Sequence, residues 1–222
     1  MKRREFTAAV FASTAPGWAA AEASESDAAS GIRAALQRGA LAAVAQLGKS
    51  DGFLGNPQVR IPLPGYLADA AKLLKTLGQG AKVDELITAM NRAAEAAVPE
   101  AKALFVNTAK NISVEDALKV VRGGQTSVTD YFAGKTRMPL GEKFLPIVTR
   151  ATEKVQLAQR YNAVAGKAAS MGLVKGDAVN VQKHVTARAL DGLFLMIGEE
   201  EKKIRADPIG TGSAILKKVF GG

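Results

Sequence analysis

Two carboxylates near the carboxyl end, Asp191 and Glu200, stand in the otherwise apolar run "ALDGLFLMIGEEEKKIRADP". At helical spacing Leu193, Ile197, Glu200 and Ile204 share one stripe, which puts Glu200 on the face that a helix buries. Asp191 interrupts residues 189–197, which are apolar on nearly every side. A carboxylate taken out of water needs a cation or several N–H donors, or its pKa climbs. The segment "MNRAAEAA" offers such a partner: Arg92, with Glu95 one turn on and Asn91 beside it, among alanines that let another helix come close. The expected arrangement is Arg92 reaching Asp191 or Glu200 as a buried salt-bridge lock. The same groups could instead line a polar ligand pocket or supply a general acid or base.

The remaining polar residues carry less chemistry. His184 is the only histidine, and with polar neighbours near a helix start it is expected at the surface, serving neither a triad nor a metal cluster. Absence of cysteine removes disulfides, thiolate metal sites and cysteine nucleophiles, and no cofactor or metal is expected. Gly48-Lys49-Ser50 resembles the end of a phosphate loop, but Ala43 stands where the earlier glycine belongs and the segment ends a helix instead of starting one. Glu199 with Lys203 and Glu201 with Arg205 are spaced as solvated i, i+4 pairs. Tyr131, next to Phe132, reads as core or groove lining.

These side chains are positioned by helices and one exception, "DGFLGNPQVRIPLP" at residues 51–64. Pro57, Pro62 and Pro64 forbid a helix there, Asp51-Gly52 and Asn56-Pro57 turn the chain, and Val59, Ile61 and Leu63 alternate with Arg60 and Pro62. The pattern predicts an ordered extended strap, with room for a two-residue bridge, that buries Phe53, Leu54, Val59, Ile61 and Leu63 and turns Arg60 outward, where it could meet an anion. Elsewhere the apolar spacing is helical, beginning with Ile32, Leu36, Ala40, Val44 and Leu47. Ser113 with Asp116, and Ser127 with Asp130, read as capping boxes. A short helix at "VTDYFAG", a separate one through "GEKFLPIVTRATEKV" bent or begun by Pro146, a long terminal helix over 181–207 and a last one at "SAILKKVF" complete the reading. The fold class is therefore all-α: a single-domain multi-helix bundle with a Pro-rich strap and a central C-terminal helix.

The amino terminus has a different character. Lys2, Arg3 and Arg4 precede a mild apolar run that ends in alanines, the pattern of an export signal cleaved after Ala21, and the adjacent arginines also fit the twin-arginine type. Residues 22–30 read as a flexible lead and 31–222 as one helical domain. The 222-residue chain carries a net charge of +9. Without residues 1–21 it keeps 27 basic against 20 acidic side chains, a net +7 that suits an anionic surface. The basic residues are scattered among acids and are not interleaved with aromatics, so nucleic acid is not an expected partner. No stretch is long and apolar enough to predict a transmembrane span in the mature chain.

The strap, the run "MNRAAEAAVPEA", "ALKVVRGG" followed by "YF", and the carboxyl-terminal "ALDGLFLMIGEEEKKIRADP" with "ILKKVFGG" resemble the bacterial domain-of-unknown-function family 4197 over about residues 31–221. That resemblance implies an envelope-associated protein, since members carry export or lipoprotein leaders, and it implies no catalytic residues. Lacking the lipoprotein cysteine, this chain is expected as a soluble periplasmic protein. The function expected is non-catalytic binding of a small-molecule or lipid-like ligand, or of an envelope partner; the alternative is a periplasmic hydrolase using a buried carboxylate. The residues proposed for such a site are Arg60, Asn91, Arg92, Glu95, Tyr131, Asp191 and Glu200.

Overall fold

The structure is a computed structural model describing residues 17–170 and 180–207, with side-chain packing given from Ala29 onward. Among these residues lie eight α-helices: α1 (Gly17–Leu47), α2 (Gly65–Thr76), α3 (Gly80–Ala97), α4 (Ala101–Lys110), α5 (Val114–Arg122), α6 (Ser127–Thr152), α7 (Gln156–Ser170) and α8 (Val181–Ala206). A single 3-10 turn, Val98–Glu100, joins α3 to α4 at Pro99. The all-α class is as expected. The expected helix at "SAILKKVF" lies outside the described residues.

Helix α8 is the centre of the bundle. It buries Val185, Ala189, Leu193 and Ile197 on one side and Leu190, Phe194 and Met196 on others, so that α1, α3 and α6 all pack against it. An apolar girdle of this width is the mark of a helix surrounded by others. Phe194 meets Phe105 of α4 at 6.2 Å, and Phe105 meets Phe132 of α6 at 5.3 Å, both edge to face. The α1 stripe from Ile32 to Leu47 faces inward as its spacing requires.

Two expectations change. "VTDYFAG" and "GEKFLPIVTRATEKV" form one helix, α6, which runs through both Pro139 and Pro146. Each proline removes one helical N–H, but Pro146 is exposed and Pro139 half-buried, so the freed carbonyls face the wetter side. Meanwhile Phe132, Thr136, Leu140, Phe144, Val148 and Thr152 keep an unbroken buried line at intervals of four. Tertiary burial thus outweighs the local breakers. The second change concerns residues 51–64, where no strand or bridge forms; the partner of the extended backbone is a side chain.

The strap has the expected burial pattern, but residues 51–59 run through successive turns, with Gly55 N bonded to Asp51 O and Val59 N to Asn56 O, and the turn-free part begins at Arg60. Phe53, Val59 and Ile61 are buried, Leu54 and Leu63 half-buried, and Arg60 and Pro62 exposed. Asp51 adopts a left-handed backbone (φ 64°). A Cβ on the following Gly52 would lie 2.4 Å from the Leu47 carbonyl oxygen, so only glycine lets the chain turn this tightly off the end of α1. Seating the strap also depends on Gly192 in the middle of α8. A Cβ there would come within 2.9 Å of the Phe53 ring and 3.1 Å of Val59 Cβ.

Gly192→Ala is therefore expected to destabilise the protein by roughly 1–3 kcal/mol through overpacking, in spite of the better helix propensity of alanine. Gly166→Ala in α7, where a Cβ meets nothing within 4 Å, should be neutral or stabilise by up to about 1 kcal/mol. Urea unfolding of the two variants measures the contrast.

Candidate functional site

Helix α3 presents polar groups at positions i, i+1 and i+4 to the strap, and these decide its course. Asn91 is fully buried; its Oδ1 accepts from Ile61 N at 2.8 Å and its Nδ2 donates to Ile61 O at 3.1 Å and to Ile87 O at 2.8 Å. One amide side chain thus satisfies both backbone groups of Ile61, as a neighbouring strand would. One turn on, Glu95 is 5% exposed, and its Oε1 accepts from Phe53 N and Leu54 N, both at 3.0 Å. Its Oε2 takes a 2.7 Å bond from Arg92, which also donates to Asp51 and Ser50. The Glu95 hydrogen bond is the main influence holding the Arg92 guanidinium above its usual pKa, with Asp51 adding to it. From α8, His184 Nε2 lies 2.9 Å from the Pro62 carbonyl oxygen. A carbonyl only accepts, so Nε2 carries the proton.

Held in this way, the strap forms one wall of an open groove of about 570 Å³, closed on the other sides by α2 and α3. Ile61, Leu63, Ala71, Val83 and Ile87 supply its apolar lining, and Arg60, Lys72 and Lys75 stand at its edge. A half-open pocket between α1 and α8, lined by Ile32, Leu36, Ile197 and Ile204, holds about 20 Å³, room for no more than one water.

A second buried carboxylate performs the same work as Glu95 on another helix. Glu201 of α8 is 4% exposed; Oε1 accepts from Val128 N at 3.1 Å, and Oε2 from Thr129 N at 3.0 Å and Thr129 Oγ1 at 2.9 Å. Arg205 supplies the compensating charge, with Nε and an Nη 3.0 and 2.9 Å from Oε1. Val128 and Thr129 lie in the first turn of α6, whose N–H groups lack intrahelical acceptors and whose dipole favours an anion. Glu201 thus caps α6 from a distant helix, and the expected Ser127 box is not made: Ser127 Oγ donates back to Val120 and Gly124 carbonyls.

A family model matches residues 22–221. The chain belongs to DUF4197, a family described as protein of unknown function. No curated protein and no solved structure matches it.

In this DUF4197 chain the expected site residues divide into separate places. Asn91, Arg92 and Glu95 come together, but Arg92 reaches neither Asp191 nor Glu200; its acceptors are Glu95, Asp51 and Ser50. Asp191 is half-exposed and pairs with Arg137 of α6 and, at 3.3 Å, with Arg188. Glu200 pairs with Lys203 at 2.7 Å and Glu199 with Lys202 at 2.8 Å, so the expected Glu199–Lys203 pair is replaced. Glu201 and Arg205 do pair, yet as a buried unit, not a solvated one. The stripe through Ile197 and Ile204 admits either position 200 or 201 inward, and the amides of α6 select Glu201. His184 is buried as well, against the expected surface placement, because the strap carbonyl gives its ring a polar partner. Tyr131 is half-buried beside Phe132, with Lys135 Nζ 6.0 Å from its ring centre; burial first, and the charge of Asp116 second, raise its phenol pKa. Arg60 lies apart, at the groove. Among the described residues no three His, Asp or Glu side chains cluster as a metal site, and no helix is long and apolar enough to cross a membrane.

Glu201→Ala leaves two helix-start amides and a mostly buried guanidinium without their acceptor, so the expected loss of stability is about 3–5 kcal/mol. Asp191→Asn breaks a half-exposed cluster and should change stability by no more than about 1 kcal/mol. Equal losses from the two in urea unfolding would contradict the assignment of Glu201 as the structural acid.

Proposed function

We propose that this protein is an exported bacterial binding protein without catalytic activity, and that its ligand occupies the groove between the strap, α2 and α3. The observation that carries this reading is the groove: about 570 Å³ of open, apolar-walled space, against about 330 and 300 Å³ in two smaller depressions along α6 and α8. Small-molecule sites fall in the range of about 300–1,000 Å³. The carboxylates do not favour hydrolysis: Asp191 and Glu200, the two expected to serve it, are held in ion pairs with Arg137, Arg188 and Lys203, and Glu95 and Glu201 are occupied by backbone amides and an arginine. A general acid or base must keep an oxygen within reach of a substrate proton.

Export is supported by the basic and then mildly apolar start of the chain, and by a family match that begins at residue 22, directly after the proposed cleavage point. A protein partner is the second reading. Met138 is 79% exposed, and Leu195 and Leu145 are also exposed along α6 and α8, away from the groove.

Native mass spectrometry of the periplasmic protein tests the proposal. The expected species is a chain beginning at Glu22 with a bound small molecule, and Ala68→Trp, which fills the groove from α2, should empty it without lowering the melting temperature. Recovery from the cytosol with Met1 intact would refute export. A bound protein released by Met138→Glu and not by Ala68→Trp would replace the groove with the α6–α8 face.

A further inference from the structure

We infer that the groove accepts a single-chain amphiphile with an anionic head group, the head held by Arg60 and Lys72 and the tail laid along Ile61, Leu63, Val83 and Ile87. This rests on the groove being the binding site and adds the chemical class of its occupant.

The argument begins with the backbone of residues 59–62. Val59 and Ile61 are buried, and Arg60 between them, at the end of the turn that starts at Asn56, is exposed. Its neighbour Ile61 is fixed on both backbone groups by Asn91, and Pro62 is fixed at its carbonyl by His184. The Arg60 backbone N–H itself donates to Asn56 O at 2.9 Å. A guanidinium mounted on so rigid a support loses little freedom on binding an oxyanion.

Charge accounting points the same way. Arg92, Arg137, Arg188 and Arg205 each have a carboxylate partner, and at the groove Lys75 has Asp84 at 3.3 Å. Arg60 and Lys72, like other exposed cations of the described residues, have none, and what sets these two apart is that they flank an apolar surface from different elements, the strap and α2. Two cations beside apolar walls are complementary to an oxyanion joined to a hydrocarbon chain. Apart from Arg60, Lys72 and Lys75 the described lining is apolar side chains, which offer the tail contact area and no hydrogen-bonded specificity.

Calorimetric titration of the purified chain with monomeric dodecyl phosphate, dodecyl maltoside and inorganic phosphate separates head from tail. Dodecyl phosphate should bind about tenfold or more tighter than the maltoside, and inorganic phosphate should bind far more weakly than either. Arg60→Ala and Lys72→Ala, both on exposed side chains, should each erode that preference by about tenfold while leaving maltoside binding unchanged. Ala68→Trp should abolish binding of both detergents. If the two detergents bind alike and the charge variants have no effect, the anionic head is wrong and the groove reading survives. Binding of neither detergent, or binding indifferent to Ala68→Trp, overturns both. Inorganic phosphate binding as tightly as dodecyl phosphate, or binding seen only to anionic vesicles, overturns the amphiphile.

Discussion

A buried carboxylate that receives two consecutive backbone amides from another part of the chain is the interaction on which this architecture rests. It occurs twice, at Glu95 for Phe53 and Leu54 and at Glu201 for Val128 and Thr129, and each time an arginine on the same helix, at i−3 or i+4, supplies the opposite charge. The physical economy is clear: main-chain N–H groups at a tight turn and at a helix start have no regular partner, and leaving them dry costs more than placing an ion beside them. The arginine keeps the ion from being an isolated charge. Asn91 extends the same logic with an uncharged group, serving both the donor and the acceptor of Ile61.

These interactions locate the exposed features as well as the hidden ones. Because Ile61 and Pro62 are fixed from α3 and α8, Arg60 is presented outward and the strap stands as a wall instead of lying flat on α2. The groove exists because an extended segment and two helices cannot close their mutual gap with the small side chains available there, Ala68 and Ala71. Along α8 the two open depressions against α6 are smaller, about 330 and 300 Å³.

Much of the helical architecture was legible in the sequence because apolar spacing is a local property: the α1 stripe, the breadth of apolar residues on α8 and the alternation within the strap all appear as written. The continuous α6 was hidden, since Pro139 and Pro146 are local breakers and only the distant surfaces burying Phe132 to Thr152 show why they are tolerated. The polar cluster Asn91, Arg92 and Glu95 was recognisable from polar residues among alanines, but its partner was not. Arg92 has no feature that distinguishes an acceptor on α8 from one on the strap. The burial of Glu201 and His184 was missed for the same reason: the Val128 and Thr129 amides and the Pro62 carbonyl that draw them inward are backbone groups, which carry no residue-type signal.

The seat of the strap unites residues remote along the polypeptide. Phe53 and Val59 close upon Gly192, and Pro62 meets His184, 122 positions later. During synthesis, residues 51–64 must therefore wait until most of the chain has left the ribosome before their final lodging exists. Until then Phe53 and Val59 lack the α8 surface that covers them, and the nascent protein has no finished amino-terminal half.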